Sequence, residues 1–196
     1  MGTPCWAVVL LAVLYTACER LVRQRLGGTF YPVLLAGAFL LPPPAAALVP
    51  LPGALLSPAA HRPQALRRIW RAAELALAVW AAGLVHRVLG GGDTVAGCDF
   101  PYALLPCAAA VLAFCGVLAL LDGGLRALAD RVPARRAWRG LFSRSLAPIG
   151  VHGLAGLMMA VLWRSPYGPV AALLVLLPMC VSWWVFAQYD RERAAH

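Results

Sequence analysis

The chain has 196 residues, 62% of them hydrophobic and 13% charged, with a formal net charge of +9. A mean hydropathy of +0.75 is too apolar for a soluble domain of this length. All 17 basic residues are Arg, and they punctuate the apolar runs instead of forming one solvated face, which directs the charge toward anionic lipid headgroups and away from nucleic acid.

The first apolar run, 5–18, is short for a bilayer core of ~30 Å, which takes about 20 helical residues. Leu21, Val22 and Leu26 extend its helical pattern, with Arg20, Arg23 and Arg25 snorkelling into headgroups. Gly27 and Gly28 end it. No basic residue precedes Arg20, so the run reads as a retained helix and not a signal peptide. Trp6 occupies the place where a myristoylation signal after Gly2 needs a hydroxyl.

Two half-length apolar stretches follow, 30–41 and 45–56, separated by Pro42, Pro43 and Pro44, with Pro50 and Pro52 interrupting the second. Twelve residues give roughly 18 Å of helix, short of a crossing. The pair is either two short tilted helices or a re-entrant hairpin, and a Pro-rich turn is its plain explanation. Irregular backbone at that depth must be buried in protein or face a cavity.

The loop 57–71 holds Arg62, Arg67, Arg68 and Arg71 and no acid; Arg62, Arg67 and Arg68 are expected headgroup contacts. A span over 69–89 closes at Gly90, Gly91 and Gly92. The next loop, 93–101, holds Asp93 and Asp99 and no Arg, and leads to a span over 102–121. The connection 122–145 carries six Arg interleaved with apolar residues. It reads as an interfacial amphipathic segment broken at Pro133, with Arg135, Arg136 and Arg139 on headgroups. Spans over 146–163 and 169–186 complete the membrane domain, 1–187, and 188–196 continues as a cytoplasmic helical exit. The class is thus all-α: a polytopic helical bundle of about five to seven membrane segments with the broken pair at 30–56.

Positive-inside bias sets the orientation. With the C-terminus inside, fifteen of the 17 Arg fall on the inner side and only Arg87 and Arg164 outside. The N-terminus is outside whichever way 30–56 runs. The Trp residues at 6, 70, 163, 183 and 184 sit near span ends, as an aromatic belt places them. A composition rich in Ala, Arg, Gly and Pro without Lys points to a bacterial inner membrane.

Ionisable residues inside a membrane carry a functional hypothesis by default. Glu74 lies about one turn inside its span with Arg71 three residues earlier, so an i, i+3 ion pair is available, and local pairing is its simplest role. His152 sits among Gly150, Gly153 and Gly156, a stripe that suits close helix packing with His152 hydrogen-bonded across it. His86, beside Arg87, is placed at headgroup level. The six Cys form no CxxC and no Cys/His cluster of zinc spacing, and five of them read as small hydrophobes. Cys98 is the exception, in a polar loop with Cys107 nine residues on, and a disulfide between the two is disfavoured. No nucleophile elbow, P-loop, zincin motif or paired carboxylates occur. The sequence therefore points away from an enzyme and gives no catalytic, metal or cofactor residue.

"LVRQRLGGTFYPVLLAGAFLLPPPAAALVPLPGALL" and "RRIWRAAELALAVWAAGLVHRVLGG" together resemble the N-terminal membrane regions of bacterial HD-GYP and GGDEF signalling proteins. "SPYGPVAALLVLLPMCVSWWVFAQYDRERAAH" resembles their last membrane helix and exit, so the likeness covers 25–196. Neither the His-Asp dyad nor the Gly-Gly-Asp-Glu-Phe motif of those catalytic domains is present, and no catalytic residue carries over. The resemblance implies a non-catalytic sensor or anchor module acting on a cytoplasmic signalling domain or partner protein, with homo-oligomerisation open. The alternative is a small-solute binding or transport component, its broken 30–56 segment lining a cavity around Glu74 and His152.

Overall fold

The computed structural model describes residues 5–26, 29–56, 64–93, 100–130 and 134–166, with 168, 170, 171, 173–178 and 181 beyond them. Among these the fold is all-α, with no strand. Seven helices follow in order: α1 Cys5–Leu26, α2 Pro32–Leu40, α3 Pro43–Ala46, α4 Pro50–Leu56, α5 Gln64–Val88, α6 Phe100–Asp130 and α7 Ala134–Trp163. Residues 173–178 are helical again.

Among the described residues, three segments are long and apolar enough to cross a membrane: Cys5–Val22, Ala65–Val88 and Tyr102–Leu125. At 1.5 Å per residue the two longer ones reach about 36 Å, more than the hydrocarbon thickness. Each buries one stripe and leaves apolar side chains outside. On α1, Ala7, Leu11, Tyr15, Cys18 and Val22 recur at helical spacing and are buried, while Trp6, Val9, Val13 and Leu21 are exposed. An exposed face of that composition is a lipid face, and the chain is a membrane protein.

α2 is built differently. Eight of its nine residues, Pro32 to Phe39, are buried. Pro32 starts it at N1, where a missing N–H costs nothing. Leu41 ends it in extended conformation, φ −100° and ψ 157°, as the following Pro42 demands, and its N–H returns to Gly37 O at 2.9 Å. Pro43 then opens α3. The second stretch is interrupted as expected, by a turn at 47–49 directly before Pro50, and Pro50 and Pro52 then form the first turn of α4, where helical N–H groups lack internal partners anyway.

Contacts with α1 fix the course of this segment. Phe30 N–H meets Glu19, Gly37 faces Leu11 and Val49, and the Tyr15 ring lies on Gly53. α2 therefore runs antiparallel to α1, and α4 returns parallel to it. The hairpin covers the stretch of α1 between Glu19 and Leu11, about 12 Å of helix.

α7 and α5 close the cage around α2. A Cβ added to Gly156 would stand 2.9 Å from Leu35 Cβ and 3.0 Å from both Ala36 N and Pro32 O, so α7 meets α2 at backbone distance. A Cβ at Gly83 of α5 would lie 3.3 Å from Ala38 O. α6 packs between α5 and α7.

Two boundaries differ from the sequence reading. α5 begins at Gln64, so Arg67, Arg68 and Arg71 lie on the helix and not in a loop. Among the described residues, 122–130 and 134–145 belong to the two long helices: α6 continues to Asp130 and α7 starts at Ala134. Charged residues are tolerated where a helix leaves the hydrocarbon, so the helices outrun the apolar runs at both places. The break expected at Pro133 falls outside the described residues, as do Cys98 and the 188–196 exit.

Candidate functional site

Four ionisable side chains are buried: Glu19, Glu74, His86 and His152. They lie in two places, separated by the length of α2.

At the start of α2, residues from α1, α5, α6 and the α1–α2 link converge. Glu19 Oε2 accepts the Phe30 N–H at 3.0 Å, which puts a carboxylate by the N-terminal end of α2, where the helix dipole favours it. Arg71 reaches across from α5. Its Nη2 donates to Thr29 Oγ1 at 2.5 Å, and its Nη1 stands 3.7 Å from Glu74 Oε2. The i, i+3 pairing of Arg71 with Glu74 is present, but at a length beyond a hydrogen bond. The phenol groups of Tyr31 and Tyr15 lie in electrostatic reach of the same guanidinium. Asp122 on α6 acts on Glu74. Glu74 Oε1, Arg71 Nε and Arg68 Nε are buried without a hydrogen-bond partner.

His152 belongs to the aromatic flank of this cluster. Its ring meets Phe30 at 6.4 Å and Tyr31 at 5.8 Å, both edge-on, and Tyr31 in turn meets Phe114 at 5.5 Å. The set joins α7, the α1–α2 link and α6. Edge-to-face arrangements of this kind contribute about 0.5–1.5 kcal/mol per pair beyond area.

His86 occupies the other end of α2. It is 1% exposed, packed on Phe39 at 4.8 Å and against Gly91. The ring is covered by protein, because the turn after α5 folds Gly91 over it. Arg87 and Arg164 both act on it electrostatically. The two Arg assigned to the outer side therefore share one end of the bundle, while Arg71, Glu19 and Asp122 share the other.

The three glycines of α7 have different neighbours. Gly156 faces α2, Gly153 faces Val111 of α6, and Gly150 has nothing within 4 Å of an added Cβ. Cys107 Sγ donates to Gly153 O at 3.8 Å, and Cys107 is a free thiol, so it is not paired with Cys98. Gly150 lies in an apolar groove of about 350 Å³ between α6 and α7, lined also by Leu104, Cys107, Ala108, Leu146 and Leu154. Of the proposed headgroup contacts, Arg67 is exposed and Arg68 half-buried; Arg62 and the side chains of Arg135, Arg136 and Arg139 lie outside the described residues. Among the described residues no group of three or more His, Cys, Asp or Glu could hold a metal.

Sequence spacing identified Arg71, Glu74 and His152 but missed Glu19, Thr29, Tyr31 and Asp122. Glu19 had a signal: it follows Leu11 and Tyr15 at steps of four, on the buried stripe of α1. Thr29 and Asp122 had none, since nothing local ties them to a residue more than 40 positions away. Compared with protein-family models, curated proteins and solved structures, the chain matches none.

Proposed function

We propose that this chain is a non-catalytic sensor or anchor module of a bacterial inner membrane, of the kind that precedes HD-GYP or GGDEF signalling domains. The observation that carries the reading is the Arg71 cluster. It ties the α1–α2 link, α5 and α6 together through charged side chains at the end of the bundle opposite Arg87 and Arg164. A polar joint between helices has discrete arrangements, which an apolar contact lacks, and so can bias the exit helix. Close packing of the broken segment weighs against a solute path there: a Cβ added to Gly53 or Gly156 would come within 3.0 Å of a neighbouring atom, and one at Gly83 would make a tight 3.3 Å contact. In this reading the hairpin is re-entrant, the N-terminus is outside, the C-terminus is inside, and Arg on headgroups hold the orientation.

Two measurements test it. Reporter fusions after Leu89 and after His196 should read periplasmic and cytoplasmic; the same side for both overturns the topology. For function, a diguanylate cyclase domain is fused after His196. At equal membrane levels, Arg71→Gln should change its output, and a Gly-Gly insertion after Gln188, each Gly costing about 1 kcal/mol of helix, should erase the difference. Equal output from the parent and Arg71→Gln fusions removes the sensor role. Solute flux in proteoliposomes that depends on Glu74 would favour the transport alternative.

A further inference from the structure

Among the described side chains, the charges around Glu74 do not balance. Glu74 is 2% exposed, and Asp122 on α6 adds a second carboxylate in electrostatic reach. Among the described side chains Arg71 is the cation acting on it, and its guanidinium is shared among Thr29, Tyr31 and Glu74 Oε2. The hairpin cannot supply another, because 29–56 contains no charged residue. Glu19 on α1 is a further acid, occupied with Phe30 N–H, and the tyrosines at 15 and 31 face Arg71. Glu74 Oε1 has less than 1 Å² of accessible surface and no hydrogen-bond partner.

A carboxylate oxygen in that position has lost its water and gained no donor, a penalty of several kcal/mol per buried ion. That oxygen requires either a donor or a positive charge of its own. A metal ion requires several oxygen ligands and the space to arrange them. An enclosed single oxygen provides neither, whereas a proton requires no volume.

We propose that Glu74 is a proton-binding site, carrying a proton on Oε1 when α5 and α6 are packed together. Release leaves the carboxylate and sends the proton to water at the Arg71 end, and it requires α6 to draw back so that water reaches the oxygen. Arg71 then has a stronger partner than Thr29, and its hold on the α1–α2 link loosens. Proton binding is thereby coupled to the packing of α5, α6 and the link. The inference does not depend on the sensor reading, since a solute carrier would use such a site equally.

Infrared difference spectroscopy of the full chain in lipid nanodiscs tests it. At neutral pH the parent should show a protonated-carboxyl stretch that shifts in deuterium oxide, vanishes in Glu74→Gln and persists in Glu19→Gln. A second readout is thermal stability. The folded state holds a proton that the unfolded chain has released, so the midpoint should fall as pH rises above about 4.3, the unfolded carboxyl value, and level off once the folded state releases its proton too. Glu74→Gln, which mimics the neutral acid, should lose that part of the slope. Asp122→Asn relieves the repulsion, and should move loss of the band to lower pH. Absence of the band at neutral pH, its survival in Glu74→Gln, equal slopes in parent and variant, or an unmoved band in Asp122→Asn each overturns the proposal.

Discussion

Along α7, α2 touches backbone and α6 touches side chains. At Gly156 the nearest atoms include Ala36 N and Pro32 O, fixed by the helix they belong to. At Gly153 the obstacle is one methyl group of Val111, and three residues earlier Gly150 meets nothing. The two contacts differ because the two helices differ. α2 is too short to cross and is enclosed by α1, α5 and α7, so its neighbours approach closely from several sides. α6 is long and keeps a lipid face, so side chains fill its contact with α7 and leave a groove between them. One stripe of small residues thus serves a backbone crossing, a side-chain contact and an open groove.

Gly156→Leu should have the largest effect. A branched side chain there must push backbone against backbone, and overpacking of a rigid site costs about 3 kcal/mol or more. The variant should lose its monodisperse peak in mild detergent. Gly153→Leu should cost less, about 1–3 kcal/mol, because Val111 can be changed. Adding Val111→Ala to it should recover much of the lost midpoint, while no side-chain replacement on α2 should rescue Gly156→Leu. His152→Ala comes below both. An interhelical hydrogen bond in lipid averages about 0.6 kcal/mol, and the lost ring contacts bring the total to about 1 kcal/mol. If His152→Ala unfolds the protein while Gly156→Leu stays monodisperse, the backbone crossing is not what holds α7 to α2.

The same contrast explains what could be read from the chain. Pro42 to Pro44 located the end of α2 to within a residue, because proline chemistry is local. The burial of α2 was not legible, since a helix that is apolar all round looks the same whether lipid or protein covers it. The Arg71–Glu74 pair was legible as an i, i+3 spacing, but its link to Thr29 spans 42 residues and has no signature in the pattern. The glycine stripe marked α7 as a packing helix without saying which glycine met which partner. Neighbour identity is a tertiary fact, and three glycines at equal spacing carry the same local signal.

Gly150→Leu completes the series at its small end and tests whether the groove is a true opening. Nothing lies within 4 Å of the added Cβ, and the lining residues are apolar. Replacing a helical Gly removes a backbone-entropy cost of about 1 kcal/mol relative to a good helix former. A Leu side chain would also cover Leu104, Ala108 and Leu154 from lipid, though lipid tails are as apolar as Leu, so that burial adds little. The expected result is a thermal midpoint equal to or slightly above the parent, with an unchanged detergent profile. A loss as large as that of Gly153→Leu would mean that α6 and α7 close together in the membrane at this level. Gly150 would then share the close packing of Gly153, and the contrast between the α2 and α6 contacts would narrow to Gly156 alone.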